Sequence, residues 1–311
     1  MSLNRFSSRI LVLGLCFLLV NCVPNTNYQA DYNVTQIDRK TDLVERQKAD
    51  PNTVTSEIRP NRDPLNLNDS INTNDLSSAD YYALVIGVNE YFYLPGLKTA
   101  VNDARRLTRV LSNDYGFKTQ LLTNPSRADL ISALSDYRAK LTGNDRFLIY
   151  YAGHGWLDEE AQEGYWLPTD AERSNPANWV SNSTITSYLK SIEARHLLVI
   201  ADSCYSGTLT RGLNLQQRTP NYFQKMAARK SRTVLTSGGL EPVSDVGGVG
   251  NHSIFASAMF NALEQNRNIM DGNDLFAAVK SPVQFNSDQV PQYSIIHKAG
   301  HDGGEFLFIR Q

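Results

Sequence analysis

Two short segments of this 311-residue chain carry residue types able to run covalent chemistry, Gly153-His154-Gly155 and Asp202-Ser203-Cys204-Tyr205-Ser206-Gly207. Cys204 supplies a thiol whose anion is a strong nucleophile, and a free thiol pKa of about 8.5 falls beside a cationic imidazole or a helix amino terminus. His154 supplies an imidazole able to protonate a leaving amine, and the two groups can sit beyond hydrogen-bond length in a ligand-free enzyme. Each residue alone has a plainer reading. A cysteine closing an apolar strand is ordinarily an inert core thiol, and a histidine between glycines is ordinarily a turn residue. The two motifs together favour catalysis. Two converging ligands are too few for a zinc site, and Ser203 lacks the Gly-x-Ser-x-Gly elbow of a serine nucleophile.

Such a pair needs elements that deliver both side chains to one place. Apolar runs precede each motif, Phe147-Leu148-Ile149-Tyr150-Tyr151 before the histidine and Leu197-Leu198-Val199-Ile200-Ala201 before the cysteine. Parallel neighbouring strands would bring both motifs out at the carboxyl edge of a sheet, where open α/β sheets bind their ligands. The rest of the pattern agrees. Tyr82 to Val88 reads as a central strand, and Asn102 to Ser112 as a helix with Ala104, Leu107, Val110 and Leu111 on one face, stopped at Gly116. Lys118 to Leu122 reads as a strand, Ser126 caps a helix running to about Leu141, and residues 183–192 form another helix. Thr233 to Thr236 adds a short strand, and Glu305 to Ile309 reads as a final edge strand. This alternation predicts an α/β fold with a mostly parallel sheet and helices on both faces.

Composition bounds the function classes. With 41% hydrophobic and 20% charged residues and a net charge of -2, the chain suits one globular domain with extensions and lacks the basic excess of nucleic-acid binders. Cys16, Cys22 and Cys204 are too few for a disulfide framework or a clustered metal site, so no metal ligands are assigned. Arg5 and Arg9 precede the apolar stretch Ile10 to Val20, so residues 1–22 read as a signal peptide rather than a buried helix. That stretch is far short of the roughly twenty residues that span a bilayer. Leu19-Val20-Asn21-Cys22 resembles a bacterial lipobox, departing from it at Asn21, which makes Cys22 the candidate lipidated amino terminus. Val23 lacks the Asp that often retains lipoproteins at the inner membrane, which favours an exported, lipid-anchored protein on the periplasmic side of the outer membrane. Residues 23–80, rich in Asn, Asp, Thr and Pro, read as a disordered linker, leaving 81–311 as the folded domain.

These residues carry a family likeness. Tyr151-Ala152-Gly153-His154-Gly155 and the six-residue cysteine motif, with Asn102-Asp103-Ala104 and the stretch Thr236 to Asp245, resemble the caspase-like peptidases, above all their bacterial metacaspase-like members. The resemblance implies a three-layer α/β/α sandwich around a six-stranded sheet, five strands parallel and the last antiparallel. It also implies a cysteine endopeptidase with His154 and Cys204 as the dyad and the backbone N–H groups of Gly155 and Cys204 as the oxyanion hole. Asp202 would then hold the Arg or Lys of a protein or peptide substrate, with Asp103 and Asp245 as further candidates for the same pocket and no nucleic-acid partner. Ser237 and Gly238, within Thr236 to Gly239, would pair with substrate backbone as a strand edge does. The alternative is an inactive caspase-like scaffold or peptide-binding lipoprotein.

Two loops differ in sign. Residues 205–232 carry Arg211, Arg218, Lys225, Arg229, Lys230 and Arg232 and no acid, which fits either self-cleavage after basic residues or a solvated surface. Residues 157–172 carry Asp158, Glu159, Glu160, Glu163, Asp170 and Glu172, an acidic lid or, as in some metacaspases, a calcium site, although without EF-hand spacing. No cofactor is required by this chemistry, and a monomer is expected.

Overall fold

The computed structural model describes residues 79–203, 221–238, 245 and 247–311. Cys16, Cys22, nearly all of the expected linker and Cys204 lie outside these residues, as do Arg211 and Arg218. The chain alternates as its apolar runs require: β1 (Tyr81–Gly87), α1 (Ala100–Tyr115), β2 (Lys118–Thr123), α2 (Arg127–Lys140) and β3 (Arg146–Ala152). A hairpin of β4 (Gly155–Asp158) and β5 (Glu163–Trp166) follows, with β6 (Val180–Ser181) pairing beside it. Next come α3 (Asn182–Ser191), β7 (His196–Asp202), α4 (Tyr222–Ala228) and β8 (Ser231–Thr236). The chain ends with α5 (Ile254–Gln265), β9 (Ile269–Asp271), α6 (Gly272–Asn286), β10 (Gln292–Ile295) and β11 (Leu307–Ile309).

Among the described residues the main sheet has six strands in the order β10-β8-β7-β3-β1-β2, all parallel except β10, which pairs antiparallel with β8. Every residue of β1, β3, β7 and β8 is buried, because helices cover both faces of the sheet. Strand alternation splits the core in two. Ala83, Val85, Leu148, Tyr150, Leu198 and Ile200 face α1, α5 and α6, while Leu84, Ile86, Ile149, Tyr151, Leu197 and Val199 face α2 and α3. A fully buried aliphatic side chain contributes about 1.5–3 kcal/mol, so the central strands hold the site's floor firmly.

One expectation is corrected. The Glu305 to Ile309 segment is not the last strand of the main sheet, because Gln292–Ile295 already occupies the edge beside β8. Instead β11 pairs antiparallel with β9 in a separate ribbon, which buries Phe306, Leu307 and Phe308. Nor is 205–232 one solvated loop. Its end is β8, where the Arg232 guanidinium is buried and donates to the carbonyls of Ile192, Ala194, Arg195 and Ser231. Lys225, Arg229 and Lys230 are exposed. No helix among the described residues is long and apolar enough to cross a membrane.

Helix ends follow local chemistry. Gly116 closes α1 in the left-handed region at φ 67°, and Ser126 opens α2 with a reciprocal capping box to Asp129. Gly87, at the end of β1, meets α1 so closely that a Cβ would lie 2.5 Å from the Ala100 carbonyl and 2.8 Å from Val101 Cα. Both are backbone atoms, so relief requires moving the helix that carries Asp103. Gly87→Ala is expected to cost about 3 kcal/mol, and a thermal melt showing Tm within a degree of the parent would refute this packing argument.

Candidate active site

The register of β3 against β7 pairs Ala152 with Asp202, so the chain leaves both strands at one level toward His154 and toward Cys204. The structure thus places His154 and the described start of the second motif, Asp202-Ser203, at the carboxyl ends of adjacent central strands. His154 is held from several sides. Its Nε2 lies 2.9 Å from the Pro95 carbonyl, its backbone N–H donates to Tyr91 Oη at 2.7 Å, and its ring packs on Tyr91 with centroids 4.7 Å apart. A carbonyl can only accept, so Nε2 carries a hydrogen and donates it to Pro95, an assignment made from the hydrogen-bond network. Its carbonyl accepts from Tyr151 Oη at 2.7 Å and from the Leu167 N–H at 3.0 Å, while Tyr151 stacks flat on Trp166. A Cβ on Gly153 would come within 2.7 Å of Tyr151 Oη and 3.0 Å of Tyr91 Oη. Glycine there lets the turn pass between two tyrosines. Gly155 begins β4, opposite Trp166.

Beside His154 lies a cavity of about 100 Å³ whose lining includes Thr99, Asp103, Asp202, Asp245 and Ser253. Three carboxylates in so small a space need partners, and most have them. Asp245 accepts from the backbone N–H groups of Lys98 and Thr99 at 2.6 and 3.1 Å and from Thr99 Oγ1 at 2.9 Å, so it fastens the turn that leads into α1. Asp103 Oδ1 lies 2.5 Å from His252 Nδ1, and Oδ2 accepts from the Ser253 N–H at 3.2 Å. Asp202 Oδ2 accepts from Ser253 Oγ at 2.6 Å. Asp202 Oδ1, fully buried, has no partner among the described residues.

Burial pushes the Asp202 carboxyl up to about 7, with the charge of Asp103 adding to it and the Ser253 and Ser237 hydroxyls opposing. Burial likewise pushes Asp103 up to about 7, against the Ser253 N–H and the Thr99 hydroxyl. Two neighbouring carboxyl groups that titrate near neutrality, at least one with an unused acceptor, form a site that gains from a cation.

The other expected substrate contacts are placed as follows. Thr236 lies inside the sheet, paired to Ala201 on one side and Gln292 on the other. Ser237 is buried, donates its N–H to the Ala201 carbonyl at 3.0 Å and accepts at its own carbonyl from Gln289 Nε2. Gly238 follows directly, and Gly239 lies outside the described residues. In the acidic segment, Asp158 accepts from the Glu160 and Ala161 N–H groups, Glu163 from Ser183 and Asp170 from Arg127. Among the described residues no cluster of three or more His, Cys, Asp or Glu side chains is arranged to hold a metal ion.

Sequence reasoning missed Tyr91, Pro95, Thr99, His252 and Ser253. Of these only Ser253 left a signal, as an N-cap residue ahead of the apolar-periodic run of α5, and it does cap that helix.

Comparison with known proteins places this geometry in context. The family model described as the caspase domain matches residues 80–298. Metacaspase-1 of Saccharomyces cerevisiae is 28% identical over 146 residues, covering 41% of this chain and 33% of that protein. Metacaspase-1A of Neurospora crassa is 25% identical over 203 residues, covering 57% of this chain and 42% of its own length. This chain therefore spans about a third to two fifths of these relatives. Among solved structures, caspase-1 from Spodoptera frugiperda superposes with a TM-score of 0.53 at 15% identity, over 70% of this chain and 87% of that one, a likeness of fold.

Proposed function

Because this chain belongs to the caspase-domain peptidase family, we propose that it is a cysteine endopeptidase that cleaves after Arg or Lys with a Cys204/His154 dyad. The observation that carries the specificity is Asp202, which lines the small acidic cavity beside His154 and whose buried Oδ1 has no partner among the described residues. A buried carboxylate with an unused acceptor stabilises a cationic side chain that brings its own donors. Cys204 attacks the scissile carbonyl and breaks the peptide bond after the bound basic residue. His154 takes the Cys204 thiol proton and passes it to the leaving amine as the C–N bond breaks, and water then hydrolyses the thioester, releasing the new carboxyl terminus and returning a proton to the thiol. The N–H groups of Gly155 and Cys204 are the proposed donors to the tetrahedral oxyanion. Ser237 and Gly238 are the proposed contacts to substrate backbone.

The same reading extends to the rest of the chain. Self-processing would fall at basic residues within 205–230, calcium is an optional activator, and Cys22 lipidation would anchor an exported monomer to the envelope.

The test is cleavage by the full chain of matched peptides ending in Arg, Lys or Asp, with and without calcium. Turnover of the Arg and Lys peptides alone is expected. Turnover of the Asp peptide alone would overturn the pocket assignment, and a chain that cleaves none and whose Cys204 resists a basic peptide alkylator would favour a binding scaffold.

A further inference from the structure

We propose that His252 is a positioning residue of the substrate pocket, holding Asp103 so that Asp202 alone presents a free acceptor to the cationic substrate side chain. The inference rests on the basic-residue reading above and adds the device that shapes the pocket's charge. The dipeptide His252-Ser253 engages three of the four carboxylate oxygens of Asp103 and Asp202: His252 Nδ1 and the Ser253 N–H take both oxygens of Asp103, and Ser253 Oγ takes one of Asp202. The fourth, Asp202 Oδ1, is buried with no partner among the described residues, and Asp202 lines the cavity.

His252 is itself fixed. It is 5% exposed, its ring stands edge-on to Phe260 at 5.1 Å, and Asn102 Nδ2, which donates to the Asn251 carbonyl at 2.8 Å, lies beside its Nδ1. Burial, with Arg106 and Arg109 adding to it and Glu264 opposing, lowers the imidazole's proton affinity. Nδ1–H donates to Asp103 Oδ1, a tautomer assigned from the hydrogen-bond network, and this role needs no charge on the ring. Ser253 Oγ in turn accepts from the Ala256 N–H at 2.9 Å, so the start of α5 sets where both contacts sit. Without the His252 donor, Asp103 has one oxygen free beside Asp202. Two like charges in that space cannot both stay ionised, and the proton they share blunts the acceptor meant for substrate.

The experiment measures binding of an Arg-ending peptide to the full chain carrying Cys204→Ala, by calorimetry, so that no turnover is needed. Adding His252→Ala is expected to raise Kd about tenfold, the scale of a lost hydrogen bond to a charged group. His252→Asn, whose amide places a donor near the Nδ1 position, is expected to restore Kd to within about threefold. The acid limb of Kd against pH should move to higher pH in His252→Ala, because an ionised Asp103 loses its donor. That limb reports Asp103 and Asp202 among the groups that face them or His252, namely Asp245, Tyr150, His154, Arg106, Arg109 and Glu264. If the alanine variant does not fold, His252→Gln, which displaces the donor, is expected to show the same weakening. Asp202→Asn separates the two claims. If it weakens binding while no His252 substitution changes Kd or the acid limb, the positioning role is overturned and the pocket stands. If Asp202→Asn leaves Kd unchanged, the basic-pocket reading falls and the role of His252 falls with it.

Discussion

His154→Ala is expected to lower kcat about 10³- to 10⁴-fold on an Arg peptide, with KM within a few-fold of the parent. Proton delivery to the leaving amine belongs to the transition state, so its loss appears in kcat. Cys204→Ala should be at least as damaging, and the double substitution no worse than the worse single one, because the two groups act as a unit. The support around His154 grades the effect. Tyr91→Phe removes the acceptor of the His154 N–H while keeping the ring contact, and a loss of about tenfold in kcat is expected from one such bond. Steady-state kinetics on all four variants checks this. An alanine variant that raised KM tenfold at constant kcat would show His154 to be a binding residue.

The second large effect falls on Asp202→Asn. Removing one side of a buried charge pair with substrate should lower kcat/KM on Arg and Lys peptides about 10²- to 10³-fold. In the parent, kcat/KM should fall as pH drops through about 7, where Asp202 and Asp103 gain protons, and the Asn variant should lose most of that limb. Stability should move the other way. A carboxyl that titrates near 7 in the fold and at 3.8 in the unfolded chain holds its proton more tightly when folded. Stability is therefore lost as pH rises from about 4 to about 7, by at most about 4 kcal/mol once both forms are ionised. Asn keeps an acceptor for Ser253 Oγ without the charge, so Tm at pH 8 should rise by about 5 °C or more. A variant that is both inactive and less stable would refute the placement of an unused charge in this cavity.

β1, β3 and β7 were legible from sequence because a strand buried on two faces is mostly apolar, and Gly153-His154 and Asp202-Ser203 break the runs within a residue of their ends. Asp202 and Asp103 were legible as residues, but their division of labour was not. It depends on His252 and Ser253, which lie 149 and 51 positions away from their partners in the chain. The same holds for Asp245. Asp245 does line the cavity, but the hydrogen bonds that tie its oxygens to Lys98 and Thr99 could not be read from the sequence. The misplaced edge strand has a similar cause. Gln292–Ile295 is four residues long and mixes polar with apolar side chains, so the more apolar Glu305 to Ile309 drew the assignment that pairing with β8 decides.

The Ala152–Asp202 register has a kinetic consequence. The strand that leads to the imidazole and the strand that leads to the thiol motif are hydrogen-bonded neighbours in the middle of one continuous sheet. No hinge can separate them without breaking that sheet. Enzymes built from two lobes can set their turnover by the rate at which a cleft opens and shuts, a step that solvent viscosity slows. Here such a step has no mechanical basis between the two strands, so any slowing of saturated turnover by added viscogen would report product release rather than their separation.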